Sequence, residues 1–194
     1  MDRIDVPGLL ALQERKTEEW HRSPFAPSAS ALLALVEENH HCNFELWHEE
    51  DKARREDQGF EYVYRAKRSI DEWNQRRNDC IERIDAWLAE RAPACPDGTP
   101  MNSETPGMIL DRLSILALKA YHMAEEAERT DASDEHRARC REKLGVIRRQ
   151  RADLASALAE LLAGVARGTR GFRVYRQFKM YNDPSLNPEL YRKG

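Results

Sequence analysis

The sequence predicts an all-α fold: an antiparallel four-helix bundle with a short extra N-terminal helix and an extended C-terminal arm. Three observations carry this expectation. Apolar residues recur at helical spacing along most of the 194 residues, and strand signals are almost absent. Four long periodic stretches are joined by short connections, as in an antiparallel bundle. Prolines, glycines and capping hydroxyls fall between those stretches rather than inside them.

The elements follow in order. A short first helix runs from about Pro7 to His21 and is broken by RSPFAPSAS, with Pro24, Pro27 and capping serines. The second helix starts near Ser28 and extends to about Glu56, and the third runs from about Tyr62 to Arg91. APACPDGTPMNSETPG, with four prolines and two glycines, is a linker. The fourth helix opens at Thr105–Pro106, a Thr cap followed by Pro in the first turn, and ends near Arg129. TDASD starts the fifth, which reaches about Ala166. Residues 1–171 are thus expected to form the bundle domain and 172–194 an arm docked on it. From just before that boundary into the arm, Arg170, Arg173, Arg176 and Lys179 alternate with Phe172, Tyr175, Phe178 and Tyr181. Such interleaving suits single-stranded nucleic acid, but the turn signals in NDPSLNP favour docking, with the arginines left in water.

Composition narrows the function classes. With 41% hydrophobic and 34% charged residues the chain reads as a soluble, highly charged protein. A net charge of −3 is too small for bulk attraction to nucleic acid or an acidic membrane. No apolar run approaches the roughly 20 residues that span a bilayer, and the first residues lack a signal-peptide core. Cys42, Cys80, Cys95 and Cys140 lie far apart without metal-ligand spacing, so reduced thiols and a cytoplasmic location are expected.

Polar residues stand where apolar ones belong. On the third helix Ile70, Trp73, Ile81, Ile84 and Leu88 form an apolar face, flanked by a stripe of Asp71, Asn74, Asn78, Glu82 and Asp85. On the second, Asn39, Asn43, Glu50 and Arg54 align with Leu32, Val36, Leu46 and Trp47. On the fourth, Arg112, Lys119 and Glu126, with His122 beside them, lie between the apolar lines Ile109–Leu113–Leu116–Ala120–Met123 and Met108–Ile115–Leu118. On the fifth, Arg151 occupies a position in the seam Cys140–Leu144–Ile147–Leu154–Leu158–Leu161–Val165. Buried charges must pair with each other, with water or with a ligand. Two readings follow: an ion-pair network that fixes helix register, or a polar pocket inside the bundle.

Sharper motifs are few. Glu45-x-x-His48 has the spacing of di-iron bundles, but only one copy is present. Its face, shared with His41, lies opposite Leu32, Val36 and Leu46 and is expected to be solvated, so no metal is assigned. Glu50 with Glu82 and Asp85 suggests the magnesium shell of an all-helical nucleotide pyrophosphatase.

NFELWHEEDKAR, KRSIDEWNQRRNDCIERID, ETPGMILDRLSILALKAYHM and KMYNDPSLNPELY together resemble a family of bacterial helical proteins, the domain of unknown function four-two-five-four. The resemblance covers about Asn43 to Tyr191. It implies a setting near glycosyltransferases and surface polysaccharide, without an established activity. Its segments contain Asn43, Trp47, Glu50, Asp51, Arg54, Lys67, Asp71, Asn74, Arg77, Asn78, Asp79, Arg112, Lys119 and His122.

The expected function is binding of an anionic small molecule, a sugar phosphate or nucleotide sugar, in a polar pocket of the bundle. Arg54, Arg112, Lys119 and Arg151 would meet phosphate or carboxylate, and Asn43, Asn74 and Asn78 would read hydroxyls. Glu50, Asp71 and His122 are the acid–base candidates if chemistry occurs. No cofactor is implied. The alternatives are a non-enzymatic accessory protein of an envelope glycosyltransferase and the magnesium-dependent pyrophosphatase.

Overall fold

The computed structural model describes residues 4–25, 31–178, 180 and 183–192. Every regular element among them is helical: α1 (Val6–Trp20), α2 (Ala31–Lys52), a 3-10 turn (Glu56–Gln58), α3 (Phe60–Ala89), α4 (Pro106–Glu128), α5 (Asp134–Ala166) and α6 (Pro188–Tyr191). The expected start of the second helix near Ser28 falls outside the described residues, as do Lys179 and Tyr181 of the arm.

The caps act where the sequence places them. Thr105 Oγ1 accepts from Met108 N at 3.2 Å, and Ser133 Oγ accepts from His136 N at 3.2 Å, each satisfying a backbone donor left over in a first turn. Gly59 opens α3 with φ +87°, a left-handed conformation that L side chains rarely adopt. α4 begins against α3. Asp85 takes hydrogen bonds from the Thr105 hydroxyl and from Gly107 N, the latter at 2.7 Å. A Cβ at Gly107 would stand 2.7 Å from Ile81 O, so this approach requires glycine.

α4 packs most extensively on α5, and α2 on α3; α1 crosses to touch α2, α4 and α5. The main core joins Val6, Leu9 and Leu12 of α1, Val36, Ile84, Leu88, Ile109 and Leu113, and the α5 seam from Leu154 to Val165. That seam matches its periodicity, and Arg151 is buried within it. Beyond α5, Gly171 bonds the linker through Pro100 O and Asn102 N, and Phe172 packs on the core. Glu82 accepts from Arg176 Nη1 at 2.8 Å and from Gln177 N at 2.7 Å, while Phe178 is exposed. No described helix is long and apolar enough to cross a membrane.

Two helix phases differ from expectation. α4 buries Leu110, Asp111, Leu113, Ser114, Ala117 and Leu118, which turns Arg112 and Lys119 outward to solvent. Apolar residues flank both sides of this helix, and the centre of its buried side carries Asp111 and Ser114, which a hydrophobic pattern discards. On α2, the side expected to be wet is covered by side chains from the end of α1 and from α3 and α4. His41 packs against Trp20, Phe25 and Trp73, and His48 against Phe44, His21 and His122.

Candidate functional site

A polar layer crosses the interior between α1, α2 and α4, and its hydrogen bonds run in one direction. The Thr17 hydroxyl donates to Gln13 O at 2.9 Å, which leaves its oxygen to accept from His40 Nε2 at 3.0 Å. His40 Nδ1 must then accept, and the Ser114 hydroxyl donates to it at 2.7 Å. Asn43 Nδ2 donates to Ser114 Oγ at 3.0 Å and to Asp111 Oδ1 at 2.8 Å, and Asn39 Nδ2 donates to the same Asp111 oxygen at 3.0 Å. Burial pushes the His40 pKa down to about 3, which keeps the ring neutral and its tautomer fixed.

At the α2–α3–α4 edge this layer meets a cleft of about 290 Å³. Asn43, Trp47, Glu50, Arg54, Asn74 and Arg77 line it, with Leu46, Ile115 and Leu118 as apolar backing. Arg54 pairs with Glu50 at 2.8 Å at the rim. Arg77 is different. Its Nε sits 3.9 Å from Asp111 Oδ1, buried and without a hydrogen-bond partner. The Asn74 side chain has no hydrogen bond among the described residues either.

Four of the expected site residues, Asn43, Glu50, Arg54 and Asn74, therefore share one cleft. The others do not join them. Asp71 is exposed and pairs with Arg68 at 3.3 Å, and Asn78 is half-buried but does not line the cleft. Arg112 pairs with Glu104 on the surface, and Lys119 is exposed. His122 stacks on the Trp47 ring at 4.7 Å, with Nδ1 at 2.8 Å from Glu125. Glu50, Glu82 and Asp85 occupy separate settings, respectively an Arg54 pair, the arm and the α4 cap, so no shared magnesium shell forms.

Arg151 faces α1. It pairs with Glu14 and donates to Leu10 O at 2.9 Å beside a second cleft of about 470 Å³ that also exposes Arg148 and Tyr121. Its carboxylate partner is thus neither Glu50 nor Asp85, and the Glu14 side chain is 63% exposed. Arg151→Met should therefore leave Glu14 in water and strip a donor only from Leu10 O and Gln13. The expected loss is about 1–3 kcal/mol by urea unfolding, below the roughly 3–5 kcal/mol of a stranded buried charge.

A family model described as a protein of unknown function (DUF4254) matches residues 33–174. The chain belongs to the DUF4254 family. No curated protein and no solved structure matches it. The DUF4254 match spans α2 to α5 and so takes in the whole cleft and most of the polar layer, whereas Gln13 and Thr17 of α1 lie outside it. Periodicity alone missed Asp111, Ser114 and His40. The one sequence signal for the first two was Asp and Ser three residues apart, on one face among mostly apolar residues of α4.

Proposed function

We propose that this DUF4254 chain binds a small anionic sugar derivative, a sugar phosphate, in the α2–α3–α4 cleft of an antiparallel four-helix bundle. The carrying observation is Arg77, a cleft-lining guanidinium whose Nε is buried and unbonded. Buried polar groups are almost always satisfied, so an orphaned one at a cleft points to a missing partner. An arginine favours phosphate or carboxylate, which it grips with two parallel bonds. Asn74 and Glu50 supply the donors and acceptors that hydroxyls need, and Trp47 offers a flat apolar wall. At about 290 Å³ the cleft stands at the small end of ligand pockets, which favours a sugar phosphate over a nucleotide sugar. The polysaccharide setting that the family resemblance implies points to the same class.

Thermal shift with glucose 1-phosphate, inorganic phosphate, glucose and a nucleotide sugar, at constant ionic strength, tests this reading. The sugar phosphate should raise the melting temperature with the logarithm of its concentration, by up to about 2.7 kcal/mol of stability at 100 times Kd. Arg77→Met, with native helicity checked by circular dichroism, should abolish the response, and Asn74→Ala should weaken it. A response of equal size in Arg77→Met, or none to any phosphate in the wild type, would overturn the proposal.

A further inference from the structure

We propose that His21, His48 and His122 form a binding site for a divalent transition-metal ion of the zinc class. The three come from different elements, at the end of α1, on α2 and on α4. One ring nitrogen of each lies within 4.8 Å of the other two. Their remaining hydrogen bonds decide which nitrogen that is. His21 Nδ1 meets Thr17 O at 2.7 Å, and His48 Nδ1 meets Phe44 O at 2.8 Å. A carbonyl only accepts, so both Nδ1 atoms carry a proton, and in the neutral ring Nε2 presents the lone pair. His122 Nδ1 is held the same way by Glu125 at 2.8 Å.

In their neutral forms the three imidazoles thus bring one acceptor nitrogen each within 4.8 Å of the other two. His122 Nε2 is buried and has no partner, a condition that native interiors avoid. A cation that takes nitrogen lone pairs satisfies this atom and can take the other two nitrogens as well. Each Nδ1–H held by a carbonyl or carboxylate is the outer support that metal-binding histidines use to fix ring and tautomer. The rings are also fixed by stacking, His21 on Tyr121 at 4.5 Å and His122 on Trp47 at 4.7 Å. Nitrogens on one tetrahedral zinc stand about 3.4 Å apart, from Zn–N bonds of about 2.0–2.1 Å. The nitrogens here lie within 4.8 Å of one another, so binding would draw them together by up to about 1.4 Å. Three imidazoles without a thiolate suit Zn²⁺, Ni²⁺ or Cu²⁺ and disfavour Cu⁺. They also leave a fourth position for water or a substrate atom. Neither Glu45 nor Glu49 takes part: Glu45 pairs with His41 at 3.3 Å and Glu49 with Lys52 at 2.6 Å.

The test is calorimetric titration of chelator-treated full-length protein with Zn²⁺, repeated with Co²⁺ for its visible spectrum. The wild type should bind one ion per chain and show the intense absorption of tetrahedral cobalt. His21→Gln and His48→Gln should each weaken binding by roughly 100-fold or more. Glu125→Gln should weaken it by roughly 10–100-fold while keeping the cobalt spectrum. Since His21 is exposed, its variant should fold even if a more buried one does not. Zinc bound equally well by His21→Gln and His48→Gln, or no stoichiometric binding by the wild type, would overturn the proposal. The sugar-phosphate response of metal-free protein reports on the cleft alone, so the two sites can fail separately.

Discussion

Asp111→Leu should destabilise the protein by roughly 3–5 kcal/mol, the scale of removing one partner from a buried charged network. Asp111 is 7% exposed, and its Oδ1 collects the amide donors of Asn39 and Asn43. Leucine branches at the same atom and is larger, so no cavity forms; the cost comes from donors stranded without water and from crowding. The nearest charged group, Arg77 Nε at 3.9 Å, only donates and so cannot replace the acceptor that both amides lose. Asp111→Asn keeps one carbonyl oxygen and should cost about 1–2 kcal/mol, mostly through the lost charge opposite Arg77. For a chain of this length, the leucine variant should melt about 6–20 °C lower. Urea midpoints for both variants check the order. If leucine were tolerated within about 1 kcal/mol, water would have to reach the layer, and its closed geometry would be wrong.

The legibility of this molecule differs from helix to helix. α5 was readable because its seam alternates Leu at spacings of three and four with a single interruption, and that interruption, Arg151, is buried where the pattern puts it. The apolar face of α3 was readable for the same reason, and Asp85 is buried beside it, but Asp71 of the same polar stripe is exposed. The α4 start was legible from Thr105 and Pro106, since capping is a local property. α4's orientation was not. Its apolar residues cover more than one side, so periodicity offers two solutions, and the correct one places Asp111 and Ser114 inward. Choosing it requires knowing that Asn39, His40 and Asn43 of α2 wait opposite, which is tertiary information. The same limit hid the histidine cluster. His21, His48 and His122 share no spacing, and each reads alone as an ordinary polar residue until α1 is laid along α2.

The pH dependence of stability should contain two opposing contributions, and Asp85→Asn should separate them. His40 titrates near 6.5 when unfolded and near 3 in the folded protein, because burial excludes the charged ring. Between those values the unfolded chain holds more protons. Stability therefore falls as pH drops through that window, by up to about 1.4 kcal/mol per pH unit. Burial lowers the His41 and His122 values too, which adds to the same slope. Asp85 acts in the other direction. Burial raises its pKa from 3.8 to about 6, against the pull of the Thr105 and Gly107 hydrogen bonds. Between pH 6 and 3.8 the folded protein holds the extra proton, so this contribution is present in full below about 3.8 and is lost as pH rises through 6. Across that shared window the two slopes offset one another in the wild type. Asn at position 85 cannot titrate, yet it can still accept from Gly107 N. At pH 7 the variant should therefore lie within about 1 kcal/mol of wild type, since it is also spared an ionised buried carboxylate. As pH falls from 6 to 4 it should lose stability more steeply, opening a gap that approaches about 3 kcal/mol. His40→Gln, whose amide nitrogen can still donate to Thr17, should show the reverse: a shallower acid slope than wild type. Urea midpoints at pH 7, 6, 5 and 4 for the three proteins measure all of this. Parallel curves would mean that neither group is as dry as its packing makes it.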